Sequence, residues 1–210
     1  MSIMIDNLDR LNRKERYFLI GMALGNPTFK LSSYFLEALI DKFQLVIPDK
    51  VFVAMDYHLN WIAAAAALCF NDPIRDHLYL NTGDMIDGTQ EDVDLLLAFD
   101  DQPNLTHLIM LEAKGVTAFN NSQFEHKMNR FRNIFGNNCE KWPQIKPYFG
   151  LVSPRKPEKL RVDSCPPWLM VNGEIPWLEM PIPDNRLVLF GCDENGRANQ
   201  DRQYWTIRHQ

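Results

Sequence analysis

The sequence predicts a layered α/β domain, and three observations predict it. Helical periodicity fills the first 70 residues, strand-like apolar runs follow between residues 77 and 114, and a single capped helix then leads into another short apolar strand at 147–154. Helices, then strands, then a helix and a strand make an α/β or α+β layered domain.

The elements follow in chain order. "DNLDRLNRKERYFLIGMAL" sets Leu8, Leu11, Phe18 and Leu19 at roughly helical spacing and stops at Gly25 and Pro27. "SSYFLEALIDKF" offers Ser32 or Ser33 as an N-cap, followed by Tyr34, Leu36, Leu39, Ile40 and Phe43. "KVFVAMDYHLNWIAAAAALCF" opens after Pro48 and Asp49. Its alanine run predicts a closely approached, buried helix that ends at Asn71, Asp72 and Pro73. "HLYLNT" (77–82) reads as a short strand and "DVDLLLAF" (92–99) as a stronger one. The cluster "DDQPN" (100–104), with Pro103, turns the chain into "LTHLIMLEAK" (105–114), so 92–114 is predicted to be a hairpin. Asn121 or Ser122 caps a helix through "SQFEHKMNRFRNIF" that ends at Gly136. The tail carries short Trp- and Pro-rich apolar runs, with "CDENGRANQ" as a loop between two of them. Three regions result: a helical N-terminal extension (1–48), an α/β core (49–155) and a β-rich C-terminal elaboration (156–210) packed on the same domain.

Composition narrows the class. The chain is 46% hydrophobic and 23% charged, an ordinary globular balance for 210 residues. Its N-terminus lacks the pattern of a signal peptide. The longest apolar run, Trp61 to Phe70, is half alanine and far shorter than the roughly 20 residues a bilayer requires. The expectation is a soluble, cytoplasmic protein with no membrane partner. Cys69, Cys139, Cys165 and Cys192 are scattered with no CxxC pair, so free thiols are expected rather than a zinc site or a disulfide framework. The net charge of −5 conceals an asymmetry. Residues 84–101 hold seven acids and no base, whereas 127–161 hold nine bases against two acids, a local charge of +7.

The candidate chemistry lies in "LIMLEAKG" (108–115). Four apolar residues lead into Glu112 and Lys114, which alternation places on one face together with Met110. On the preceding strand Asp94 shares a face with Leu96 and Ala98, and antiparallel pairing brings Asp94 towards Glu112. Two converging carboxylates repel, and a divalent cation relieves that cost. Oxygen ligands with open water positions suit Mg²⁺, which takes one or two carboxylates from a protein. A neighbouring lysine can orient or deprotonate water, or stabilise charge on a phosphate. This is equipment for metal-assisted phosphodiester hydrolysis. The competing reading is a solvent-exposed cross-strand ion pair worth about 0.2–1 kcal/mol.

Asp94, then Glu112-Ala113-Lys114 eighteen residues on, each on a strand of one hairpin followed by a helix and a strand, resembles the PD-(D/E)xK nuclease superfamily. The resemblance spans roughly residues 50–155. It implies a restriction endonuclease-like mixed sheet with an αβββαβ core, with Asp94 and Glu112 as ligands of Mg²⁺ and Lys114 as the catalytic lysine. It also implies a supporting role for Gln123 on the following helix and, less directly, for Glu37 on an earlier one. Val93 stands where the motif has proline. DNA is the implied substrate, and a homodimer would fit enzymes that cut two strands.

Lys127 and Arg130 are three residues apart, hence on one helix face, and "SPRKPEKLR" contributes Arg155 and Lys156. These four are candidate phosphate contacts, which would make binding salt-dependent without specifying sequence. The histidines show no metal-ligand spacing, and no P-loop, dinucleotide or nucleophile-elbow pattern occurs. Two functional classes remain: a Mg²⁺-dependent nuclease, or a catalytically inactive nucleic-acid- or protein-binding module on the same fold.

Overall fold

The computed structural model describes residues 2–11, 15–26, 29–70, 77–102, 105–115, 117–163, 165–183, 185–200 and 203–209. Five strands form a mixed sheet in sequence order: β1 (Phe52–His58), β2 (Asp92–Gln102), β3 (Leu105–Ala113), β4 (Ile145–Ser153) and β5 (Trp177–Glu179). β1, β2 and β3 run antiparallel in succession, and β3, β4 and β5 run parallel. The parallel step from β3 to β4 needs a crossover, which α5 (Asn121–Phe135) supplies.

Strand alternation divides the core in two. Leu96, Ala98, Leu108, Met110 and Phe149 face one layer, built from α1 (Ile3–Arg10), α4 (Leu59–Ala67) and α5. Leu97, Phe99, Ile109, Leu111 and Tyr148 face the other, against α3 (Ser33–Phe43). Gly150 of β4 permits that second contact: a Cβ there would lie 2.8 Å from the Phe43 ring. The N-terminal helices are thus built into the core. Met4, Ile5 and Leu8 of α1 are buried on one face of the sheet, Leu39 and Phe43 of α3 on the other.

The periodic segment expected to be one N-terminal helix is two, α1 and α2 (Glu15–Leu24). Tyr17 and Gly21 of α2 are buried, whereas Phe18 and Leu19 are exposed. The predicted buried helix at 50–70 is also corrected. Its first half is strand β1, paired antiparallel with β2, and only Leu59–Ala67 is helical. Phe52, Val53 and Tyr57 favour the pleated conformation, while the alanines behind them favour helix. The helix stop assigned to residues 71–73 and the turn residue Pro103 lie outside the described residues, as does Pro27.

"HLYLNT" is not a strand, and Leu78 and Leu80 are exposed. The edge of β2 it would need is already paired with β1. The three-strand meander therefore exists, with β1 in place of 77–82. β2 also runs further than expected, to Gln102, through an irregularity at Asp100/Gln102. α5 begins after the N-cap Asn120, whose side chain accepts from the Ser122 and Gln123 amides, and Gly136 closes it at φ 87°. In the tail β5 joins the main sheet. β6 (Leu187–Cys192) and β7 (Tyr204–His209) form a separate two-stranded ribbon. No helix among the described residues is long and apolar enough to cross a membrane.

Candidate active site

The β2–β3 ladder ends at Leu95 paired with Leu111, so Asp94 and Glu112 are the first positions beyond the pairing. The Ala113 amide, left without a β2 carbonyl there, donates to Asp94 Oδ2 at 2.6 Å. The parting of the strands thus holds the Asp94 carboxylate against the end of β3. Burial raises the Asp94 pKa above the usual carboxylate range, and the Glu112 charge adds to that; the Ala113 amide, Lys127 and Lys114 oppose it.

Glu112 projects from the face that also carries Met110. Lys114, two residues on, donates to its Oε1 at 3.0 Å. Lys127 of α5 reaches the other oxygen, Oε2, and donates to the Asp92 carbonyl at 2.7 Å. Three charged side chains from β3 and α5 therefore converge with Asp94 at one end of the sheet.

Glu112, Lys114 and Lys127 line a cavity of about 330 Å³. Gln123, one helical turn before Lys127, lines it as well, with Phe119, Asn120 and Ser122 from the helix entrance. Two further titratable groups line the wall: Glu91, immediately before β2, and His126. Burial raises the Glu91 pKa; Lys127, Arg130 and His126 oppose that, and Glu112 reinforces it. The run of acids around Asp94 was the available signal for Glu91.

Arg130 explains how Glu91 is delivered. Its guanidinium donates to the Asp84 and Met85 carbonyls (2.8 and 2.9 Å) and to Asn60 Oδ1 (2.7 Å). Its Nε lies 2.9 Å from Asp87 Oδ2 as an ion pair. Asn60 of α4 also bonds the Asp87 backbone, and the Leu59 amide donates to the Glu91 carbonyl. A buried α5 arginine and the start of α4 thus tie down the loop that enters β2.

The expected phosphate contacts divide accordingly. Lys127 and Arg130 are buried, one committed to Glu112 and the other to the 84–87 loop, so neither forms the exposed basic face expected of them. Arg155 and Lys156 are exposed just past β4, where Lys156 pairs with Glu174 at 2.6 Å. The same basic segment then returns to the helix entrance. Asn121 donates to the Lys159 carbonyl and accepts from the Arg161 amide, which places exposed Lys159 and Arg161 beside the start of α5. Glu37 is exposed on α3, the helix on the opposite face of the sheet from Glu112.

Asp94 and Glu112 carry carboxylate oxygens of the kind a hard divalent cation takes, but among the described residues no group of three or more His, Cys, Asp or Glu is placed to hold a metal. Both Glu112 oxygens are held by ammonium groups, so a cation at Glu112 would compete with them for the oxygens' lone pairs. Comparison of the chain with protein-family models, curated proteins and solved structures finds no match to any of them.

Proposed function

We propose that the protein is a Mg²⁺-dependent nuclease of the restriction endonuclease-like fold that hydrolyses phosphodiester bonds in DNA. The observation that carries this reading is the convergence of Asp94 and Glu112 where β2 and β3 part, with Lys114 on Glu112 at the wall of one cavity. The αβββαβ order from α3 to β4, interrupted by α4 between β1 and β2, supports the fold assignment.

Asp94 and Glu112 would hold the cation, which when bound supplies Lewis-acid stabilisation to a phosphoryl oxygen and lowers the pKa of water. Lys114 orients the attacking water or stabilises charge accumulating on the phosphate. Gln123 fixes the substrate through its side-chain amide. Its own backbone N–H is already used by the Asn120 cap. Arg155 and Lys156 contribute phosphate contacts from the basic segment, and Lys159 and Arg161 extend that surface towards the cavity.

The second reading, an inactive nucleic-acid- or protein-binding module, draws on one observation: two lysines already neutralise Glu112. Incubating purified protein with supercoiled plasmid, in Mg²⁺ and in EDTA, separates the two. Nicked or linear product only in Mg²⁺ supports the nuclease; binding without cleavage at any divalent-ion concentration supports the module.

A further inference from the structure

We propose that Lys127 is the resident counter-ion of the Glu112 carboxylate, and that its transfer from Glu112 to an incoming phosphodiester couples cation binding to substrate binding. This deepens the nuclease reading and rests on it.

Lys127 is only 7% exposed. It sits three residues after Phe124 and four before Phe131, both buried, so it occupies a core position of α5 rather than a solvated one. A buried ammonium must keep partners, and these are the Asp92 carbonyl and Glu112 Oε2. Yet the same side chain lines the cavity, so a phosphate entering there comes within reach of its ammonium.

The charge balance gives the coupling its direction. Counted as ionised, Glu91 and Glu112 of the cavity wall and Asp94 beside Glu112, against Lys114 and Lys127, leave one negative charge at this end of the sheet. A divalent cation alone overshoots to one positive charge, with two ammoniums beside it. A cation together with a singly charged phosphodiester brings the site to neutrality and offers Lys127 a new partner. The cation is therefore bound weakly in the free protein and firmly in the complex. Lys127 acts here as a positioning residue.

The test is Mn²⁺ binding to the full chain, followed by electron paramagnetic resonance, with and without saturating dimethyl phosphate. The variants are Lys127→Met and Lys127→Arg, with Lys127→Gln in reserve if the methionine variant does not fold. Wild type and Lys127→Arg are expected to bind Mn²⁺ weakly and to gain about tenfold or more in affinity from dimethyl phosphate. Lys127→Met is expected to bind Mn²⁺ about tenfold more tightly than wild type without phosphate and to gain little from it. Equal or weaker Mn²⁺ affinity in Lys127→Met overturns the counter-ion role and leaves the metal site standing. No Mn²⁺ binding by wild type or any variant overturns the metal site as well.

Discussion

The two ends of the β2–β3 pair carry similar chemistry and put it to different use. At the hairpin end, on the α3 face, His107 is buried between bonds to Tyr148 Oη and Asp101 Oδ2, each 3.1 Å from a ring nitrogen. Its ring lies parallel to Phe99 and Tyr148, at centroid distances of 4.9 and 5.7 Å. At the other end, on the opposite face, Asp94 and Glu112 lie where the ladder has opened, and Glu112 lines a cavity together with two lysines. A buried ionisable residue is therefore not in itself a site. At the hairpin end both ring nitrogens of His107 have partners and the ring is buried, whereas at the far end the Glu112 charge acts on Asp94 and Glu112 borders open space.

The strongest way to break this contrast is to remove the chemistry from one end only. Glu112→Gln or Lys114→Met is expected to lower Mg²⁺-dependent plasmid cleavage by about 10²–10³-fold or more while the thermal unfolding transition remains cooperative. Unchanged cleavage in both variants would falsify the site assignment. The complementary change, His107→Ala, is expected to destabilise the protein by about 2–3 kcal/mol in denaturant titrations with cleavage retained below the transition. Cleavage abolished with the fold intact would show that the hairpin end is functional after all.

Acid and base should act on the two ends in opposite directions. Burial lowers the His107 pKa against the opposing Asp101 charge, so the fold prefers the neutral ring. That contribution is present above the ordinary histidine value of about 6.5 and is lost as the pH falls through the lowered folded value. Asp94 and Glu91 have raised values. Their contribution is present below the ordinary carboxylate value of about 4 and is lost as the pH rises through the raised ones. Asp94→Asn is accordingly expected to be more stable than wild type at pH 7, with the difference closing towards pH 4. Unfolding curves across that range check the sign, and a variant less stable at every pH contradicts it.

The smallest effect concerns the basic segment. Arg155→Ala with Lys156→Ala should weaken duplex binding and reduce the slope of log affinity against log salt by about 0.9 for each phosphate no longer neutralised. An unchanged slope would place the duplex elsewhere on the surface.

Much of the site was legible because it is local. An apolar strand ending in Glu-Ala-Lys, the aspartate strand before it and the Asn-capped helix after it are short-range signals, and each lies within two or three residues of where the pattern puts it. β1 was obscured because the alanines of α4 gave the whole segment a helical appearance, and strand identity there depends on pairing with β2, forty residues away. Lys127 and Arg130 were misplaced for a different reason. Their i, i+3 spacing identifies a shared face but not which face is covered, although their register with Phe124, Phe131 and Ile134 marked that face as the apolar one. Arg130 is buried because it satisfies the carbonyls of a loop forty-five residues away, a partner that no local pattern names.

The central claim is that Asp94 and Glu112 form a cation site at the open end of the β2–β3 pair. A crystal soaked in Mn²⁺ and measured at the manganese absorption edge tests it most directly. The account predicts an anomalous peak at Asp94 and Glu112. Density showing no peak at the two carboxylates, at Mn²⁺ concentrations that support cleavage, would contradict it.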